Sequence, residues 1–386
     1  DATILLSGGE GDDYIRKAGW GSQYDNLNLT MSGGAGDDSI HLHDVIQFNK
    51  TGSLLVSGDE GSDFIEINAY INNWGGAENG LLKVLGGSGE DTIAIGDRVG
   101  NRVDVQVDSG SDNDEIRVDG GRKVSITTGS GSDTIVLSNV TYNNNTQVTI
   151  TDFTVGEGGD VLDYKSLLKH TAIDYNGENP FSTGHLELEQ SGKDTLIKFD
   201  ADGSQGENHI QKTIAVLKNV DVTQIIANNF NPNFPPDGSL AESLVINGTE
   251  AKDEIKGGYG HDTIYGNGGD DQIDAQAGSD TVYGGTGNDV IEGNFGDDVL
   301  YGESGNDQLS DDAGSNLLDG GEGDDQLNAH HAASNQTLYG RDGNDNLRAT
   351  GQTLILDGGA GRDYLYTNSY NVENSKNSSK SSQIHF

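Results

Sequence analysis

Between Gly248 and Leu327 an apolar residue returns every nine positions: Ile255, Ile264, Ile273, Val282, Ile291, Leu300, Leu309, Leu318 and Leu327. The intervening positions are dominated by Gly, Asp, Asn and Ser, as in GGTGNDVIE (284–292) and GNFGDDVLY (293–301). Nine such units follow one another without an insertion, and their eighth position is always apolar. Their sixth position is Asp at 253, 262, 271, 280, 289, 298, 307 and 325, with Asn316 as the exception. One inward apolar side chain between polar neighbours predicts a short half-buried strand, and the Gly-rich stretch before it predicts a turn. A fixed period of this kind predicts stacked repeats, each burying its face against the next.

The first 140 or so residues carry the same turn at a longer interval. Copies run Gly8–Asp13, Gly33–Asp38, Gly58–Asp63 and Gly86–Asp91, followed by the looser Ser109–Asp114 and Thr128–Asp133. Their last Asp residues are 25, 25, 28, 23 and 19 apart. Alternating segments precede the turns (Leu27/Leu29/Met31, Leu54/Val56, Leu82/Val84, Val103/Val105/Val107, Val124/Ile126) and follow them (Ile65/Ile67, Ile93/Ile95, Ile116/Val118). One rung therefore reads turn, strand, variable loop, strand. Motif turns lie on one edge only; the other edge carries loops such as Arg16–Asn26 and Asn68–Gly80, with Trp20 and Trp74.

Residues 147–237 break the pattern. A short helix is expected over Tyr164–His170, and HLELEQ (185–190) and TLIKF (195–199) form a hairpin through Ser191-Gly192-Lys193-Asp194. TIAVLKNV (213–220) is a further strand, and NPNFPPDG (231–238), with three of the four prolines, reads as a linker. Asp200-Ala201-Asp202-Gly203 is read as a hairpin turn in preference to a calcium loop. After Leu327 a longer loop, Asn328–Thr337 with His330-His331, replaces one turn, and two more motif turns end at Asp345 and Asp363. Ser, Asn and Lys dominate the tail from Thr367 to Phe386.

Charge changes the picture. The 386 residues carry a net charge of −41 with only 32% hydrophobic residues, the balance of a chain that stays disordered unless its carboxylates are neutralised. The strict period favours neutralisation. So acidic a chain lacks the basic patch that nucleic acid requires. With no cysteine it has neither disulfides nor thiolate metal sites, so bound metal is the natural staple. No apolar run is long enough for a membrane span. The opening DATILLSGGEGDD lacks the basic start and long apolar core of a signal peptide, and reads as a segment of a longer protein.

A GGxGxD turn exposes carbonyl oxygens and one carboxylate, a hard oxygen set suited to Ca²⁺, which takes about six to eight ligands. One turn supplies too few. A second turn stacked about 4.8 Å above completes the shell. A nine-residue unit places successive turns on alternate edges, so same-edge turns are 18 residues apart and the strands coil in parallel. One edge then runs through Asp253, Asp271, Asp289, Asp307, Asp325, Asp345 and Asp363; the other runs through Asp262, Asp280, Asp298 and Asn316. Stacking allows at most about six and about three ions on these edges, and about five in the first block. The predicted fold is all-β: two Ca²⁺-dependent parallel β-roll or β-solenoid blocks separated by a small β-rich insert with some helix. The boundaries are 1–146, 147–237, 238–366 and a polar tail, 367–386.

These residues resemble the RTX (repeats-in-toxin) family, whose GGxGxDxUx unit is a Ca²⁺-binding β-helix repeat. The resemblance implies calcium at the position-six carboxylates: Asp13, Asp38, Asp63, Asp91, Asp114 and Asp133, then Asp262, Asp271, Asp280, Asp289, Asp298, Asp307, Asp325, Asp345 and Asp363. Asn316 removes a charge, and Glu250 with Lys252 makes the first turn of the second block irregular. The middle segment resembles the C-terminal target region of large type I-secreted RTX proteins and adhesins. That likeness rests on Asp160–Asp163, Asn179-Pro180-Phe181, Leu186–Asp194, Asp200–Gly203, Thr213–Val220 and Asn228-Asn229-Phe230, although here another repeat block follows it. It implies an extracellular protein of a Gram-negative bacterium, folding on Ca²⁺ after export by a type I secretion apparatus and supporting an adhesin or toxin. The alternative is an accessory module of a secreted polysaccharide-modifying enzyme such as an alginate epimerase.

Tyr265, Tyr283 and Tyr301 recur 18 apart at position nine and predict a stacked outer ladder, read as stabilising in preference to a strip for a glycan or host-surface ligand. Tyr339 is placed to extend it. Ice binding would need threonine arrays, and only Thr286 sits in a turn. No HExxH, GxSxG or P-loop pattern is present, so the segment is read as non-catalytic.

Overall fold

A computed structural model describes residues 2–17, 22–73, 80–138, 146–173, 175, 177–205, 210–330, 334–367 and 383–385. Trp20, Trp74, His331 and most of the 367–386 tail lie outside the described residues. The chain divides into two compact units, Asp1–Ala172 with Gly184–Pro236, and Ile173–Thr183 with Asp237–Phe386.

The first unit is built from two long sheets. In one, Ala2–Glu10, Ser22–Ala35, Val45–Glu60, Gly80–Ser88, Val103–Ser111, Lys123–Thr127 and Val148–Ile150 lie side by side, with each bonded pair parallel. The other stacks Tyr14–Lys17, Ser39–Leu42, Phe64–Ile67, Thr92–Ile95, Glu115–Val118, Thr134–Val136 and Val161–Asp163. Each rung contributes one strand to each sheet, and the Gly-Asp turns join them along a single edge. Register brings like residues together: Ile40, Ile65, Ile93, Ile116, Ile135 and Leu162 form one buried column.

The middle segment adds to both sheets. Lys212–Leu217 pairs in parallel with Val148–Ile150, then Asp194–Phe199 and Leu186–Ser191 follow antiparallel as the expected hairpin. Phe230–Asn231 closes the second sheet. The helix spans Lys165–His170 and turns Leu167 and Leu168 inward. Asp200–Gly203 begins the connection between Asp194–Phe199 and its antiparallel neighbour Lys212–Leu217.

The second unit repeats the plan with shorter rungs. Among the described residues, seven strands, Val245–Asn247 through Thr353–Asp357, make one sheet, and eight, Glu254–Lys256 through Gln383–His385, make the other. Neighbouring strands in both sheets pair in parallel. Several strands are three residues long with a single buried side chain, as in Thr263–Tyr265 and Val290–Glu292. Their core is the position-eight column: Ile264, Ile273, Val282, Ile291, Leu300, Leu309, Leu318 and Leu327 are all fully buried. Each such side chain contributes about 1.5–3 kcal/mol. One per nine residues is thin against an ordering cost of about 1–2 kcal/mol per residue, so another source of stabilisation is required.

Candidate calcium-binding edges

At each turn the glycines set the backbone path. Gly287, at position four, has φ 130°, and a Cβ there would run into Gly269 O of the turn before it. Position two tolerates other residues at positive φ: Asn267, Gln276, Asn294 and Glu303 lie between 69° and 76°. The chain then enters the strand through the position-six Asp, whose carboxyl turns back under its own turn.

The two oxygens of that carboxyl are treated differently. Oδ1 accepts the backbone N–H of the equivalent Asp one rung earlier. In the first unit Asp13, Asp38, Asp63, Asp91 and Asp114 donate in turn to Asp38, Asp63, Asp91, Asp114 and Asp133 at 2.7–2.9 Å. In the second unit Asp253, Asp271, Asp289, Asp307, Asp325 and Asp345 donate to Asp271, Asp289, Asp307, Asp325, Asp345 and Asp363 at 2.8–3.2 Å. On the opposite edge Asp262 and Asp280 donate to Asp280 and Asp298, both at 2.7 Å.

Oδ2 is buried and has no hydrogen-bond partner at Asp13, Asp38, Asp63, Asp91, Asp114 and Asp133, nor at Asp271, Asp289, Asp307, Asp325 and Asp345, nor at Asp280 and Asp298. Beside it, at Asp13, Asp38, Asp63, Asp91, Asp271, Asp289, Asp307 and Asp345, lies a main-chain carbonyl of the next rung. A Cβ built on Gly284 would stand 2.5 Å from Asp289 Oδ2 and 2.9 Å from Gly302 O; on Gly33 it would strike Asp38 Oδ2 and stand 2.7 Å from Gly58 O. The first glycine thus leaves open a space lined by one carboxylate oxygen and one carbonyl oxygen. Burying an unpaired ionised oxygen is costly. Burial, opposed by the N–H bond and reinforced by neighbouring carboxylates, pushes Asp280 up to about 8, Asp91, Asp307 and Asp325 to about 7, and Asp63, Asp289 and Asp345 to about 6. Burial also raises Asp133 to about 7 and Asp298 to about 7. Hard, anionic, water-shielded oxygens stacked at strand spacing fit Ca²⁺.

The ladders end where an oxygen finds another partner. Asp253 Oδ2 accepts Thr249 N–H at 2.6 Å and the Thr249 hydroxyl at 2.9 Å. Asp262 is engaged at both oxygens, by Leu244 N–H at 2.7 Å and Gly258 N–H at 2.5 Å. In the first unit Asp133 N–H donates to Asp160 Oδ1 at 3.1 Å, and Asp160 Oδ2 accepts Thr154 N–H and the Thr128 hydroxyl.

Asn316 keeps the ladder but changes its chemistry. Its Oδ1 accepts Asp298 N–H at 2.9 Å, while its Nδ2 donates to Asp311 Oδ1 at 2.6 Å and to Ala313 O at 3.1 Å. The amide thus occupies oxygens that a cation would otherwise use. Gln336 continues the edge, accepting Asn316 N–H at 3.2 Å. Asp311 stands where most units have glycine; burial and the Asp298 carboxylate raise its pKa well above the usual range.

The sequence does not mark Asp160, Asp311 and Gln336 as members of the ladders. Asp160 lies 27 residues past Asp133 in a degenerate turn, and the two-residue insertion before Gln336 shifts the period to 20. The Asp-Asp pair at 311–312, in place of Gly-Gly, was the available signal for Asp311.

Tyr265, Tyr283 and Tyr301 stack with ring centroids 5.1 and 5.0 Å apart and planes within 10°. Tyr339 does not extend them. Asp319 is the register neighbour of both Tyr301 and Tyr339, and Arg341 pairs with Asp319 while lying 4.5 Å over the Tyr339 ring.

A family model for the RTX calcium-binding nonapeptide repeat matches residues 30–44, 247–282, 274–309, 304–330 and 333–365. No curated protein matches the chain. The matched segments contain one turn of the first unit, ending at Asp38, and the stacked turns and carboxylate ladders of the second, and repeats of this kind bind multiple calcium ions. The matched segments are RTX calcium-binding nonapeptide repeats, concentrated in the C-terminal half and consistent with an RTX calcium-binding protein.

Proposed function

We propose that this chain is the calcium-ordered region of a type I-secreted extracellular protein, unfolded during export and folded on Ca²⁺ outside the cell, where it supports adhesion. In this reading 1–146 and 238–366 are the calcium-ordered blocks, 147–237 is a target-region-like segment, and the segment itself carries no catalysis. Ligands are the position-six carboxylates from Asp13 to Asp133 and from Asp271 to Asp363; Asp262, expected among them, has both oxygens taken by Leu244 and Gly258 N–H groups. The observation that carries the reading is the column of buried carboxylate oxygens without partners, because it makes the fold dependent on a cation that is scarce in cytosol and plentiful outside cells. With Oδ2 ionised and unpaired at Asp13, Asp38, Asp63, Asp91, Asp114 and Asp133 and at Asp271, Asp280, Asp289, Asp298, Asp307, Asp325 and Asp345, repulsion and desolvation outweigh a core one side chain deep.

The test is chelation at neutral pH. Circular dichroism should lose its β signal in chelator and regain it on adding millimolar Ca²⁺; a spectrum indifferent to chelator would sink the reading. Export is tested separately, by asking whether a type I apparatus secretes the chain and whether deleting 147–237 abolishes that.

A further inference from the structure

Away from the calcium edges, one cluster in the first unit has a different chemistry. His41 lies on Ser39–Leu42 and His43 just beyond it, both facing outward because Leu42 between them is buried. Glu66 is the register partner of His41 on the adjacent strand. His41 Nδ1 lies 3.0 Å and His43 Nε2 2.7 Å from the same oxygen, Glu66 Oε2. All three ligand atoms lie within 4.8 Å of one another, and each side chain is at least two-thirds covered.

The rings are held in place. His41 packs against Tyr14 at 5.0 Å and Phe64 at 5.6 Å, and meets His43 nearly edge-on, at 85°. His43 N–H donates to Lys17 O at 3.0 Å, which fixes the backbone carrying the second ring. Next to Glu66, Ala94 continues its register column and Gly96 follows two residues on; these small residues help open a cavity of about 340 Å³, also lined by Asp97 and Arg117. Two imidazole nitrogens and one carboxylate oxygen, with space beside the carboxylate, form a three-ligand set that leaves a further coordination position. Imidazole favours borderline transition-metal ions over Ca²⁺, which prefers oxygen alone.

We infer that His41, His43 and Glu66 form a site for one transition-metal dication of the Zn²⁺ type, separate from the calcium ladders. The shared Oε2 marks where the ligands converge, and small side-chain rotations bring both nitrogens onto one ion. Two outward histidines on one strand, paired with a carboxylate on the next, put this site on the outer face of the sheet, whereas the ladder carboxylates lie under the turns.

The test uses the full chain folded in saturating millimolar Ca²⁺, titrated with Zn²⁺ by calorimetry and with Co²⁺ by visible absorption. One Zn²⁺ equivalent is expected in the parent, with d–d bands of a low-coordinate nitrogen-ligated Co²⁺ site. His43→Gln and Glu66→Gln should each weaken that equivalent on the order of a hundredfold, with the calcium-dependent dichroism unchanged. Equal Zn²⁺ binding in the parent and both variants would overturn the inference, as would Zn²⁺ binding that disappears as Ca²⁺ is raised, which assigns the ion to the ladders.

Discussion

The two oxygens of Asp289 face different partners, and substitutions can separate them. Asn in its place keeps an acceptor for Asp271 N–H but replaces the unpartnered Oδ2 with a neutral amide. Asp289→Asn should therefore cost one bound Ca²⁺ in an equilibrium titration while leaving the rung assembled at saturating calcium. Asp253→Asn should leave the count unchanged, since Thr249 already satisfies that carboxylate. The reverse change is equally informative. Asn316→Asp removes the amide that binds Asp311 and Ala313 O and places a third carboxylate beside Asp298 and Asp311. The variant should bind one more Ca²⁺ than the parent and be less stable than it in chelator. Position six could be read from the chain because its Asp recurs on a fixed interval. Asp160 and Gln336 could not, because each joins its ladder across an irregular connection that the period does not span.

At the scale of one rung, stability comes from a single inward aliphatic and the stacking of its neighbours. Leu309→Ala should cost about 2–5 kcal/mol in denaturant unfolding at saturating Ca²⁺, the range for emptying a packed aliphatic site. The tyrosine ladder should matter less. Tyr283→Ala breaks two stacked pairs, each contributing about 0.5–1.5 kcal/mol beyond buried area, and should leave the calcium count intact. The rungs were legible because both their signals are local: the apolar eighth position and the Gly-rich turn sit within nine residues. Tyr339 shows the limit of such reading. Its strand register is right once the two-residue insertion is absorbed, but the ladder is interrupted at Asp319, and Arg341 covers the ring instead. The histidine cluster shows another limit: His41 and Glu66 are 25 residues apart, and only strand register makes them neighbours.

For the whole molecule, the carboxylates couple folding to both calcium and protons. Burial raises the folded pKa values of Asp63, Asp91, Asp280, Asp307 and Asp325 to between about 6 and about 8, from an ordinary value of 3.8. A raised folded pKa favours the protonated folded state. That contribution is fully present below about pH 4 and is lost as pH rises through about 6 to 8. In chelator, acidification from pH 8 to pH 5 should therefore restore part of the β dichroism, and saturating Ca²⁺ should flatten this dependence. The ladders also have a direction. Most sites place the carboxylate of one rung beside a carbonyl of the following rung, as with Asp289 Oδ2 and Gly302 O, and the Asp289 N–H reaches forward to the next carboxylate. Each such site needs two rungs, so an edge holds one site fewer than its rungs, and its last carboxylate always faces no following rung. Within the run of unpartnered carboxylates, deleting one whole rung from either end should therefore cost that edge one Ca²⁺ in an equilibrium titration, as a coin taken from the top or the bottom shortens a stack by the same amount.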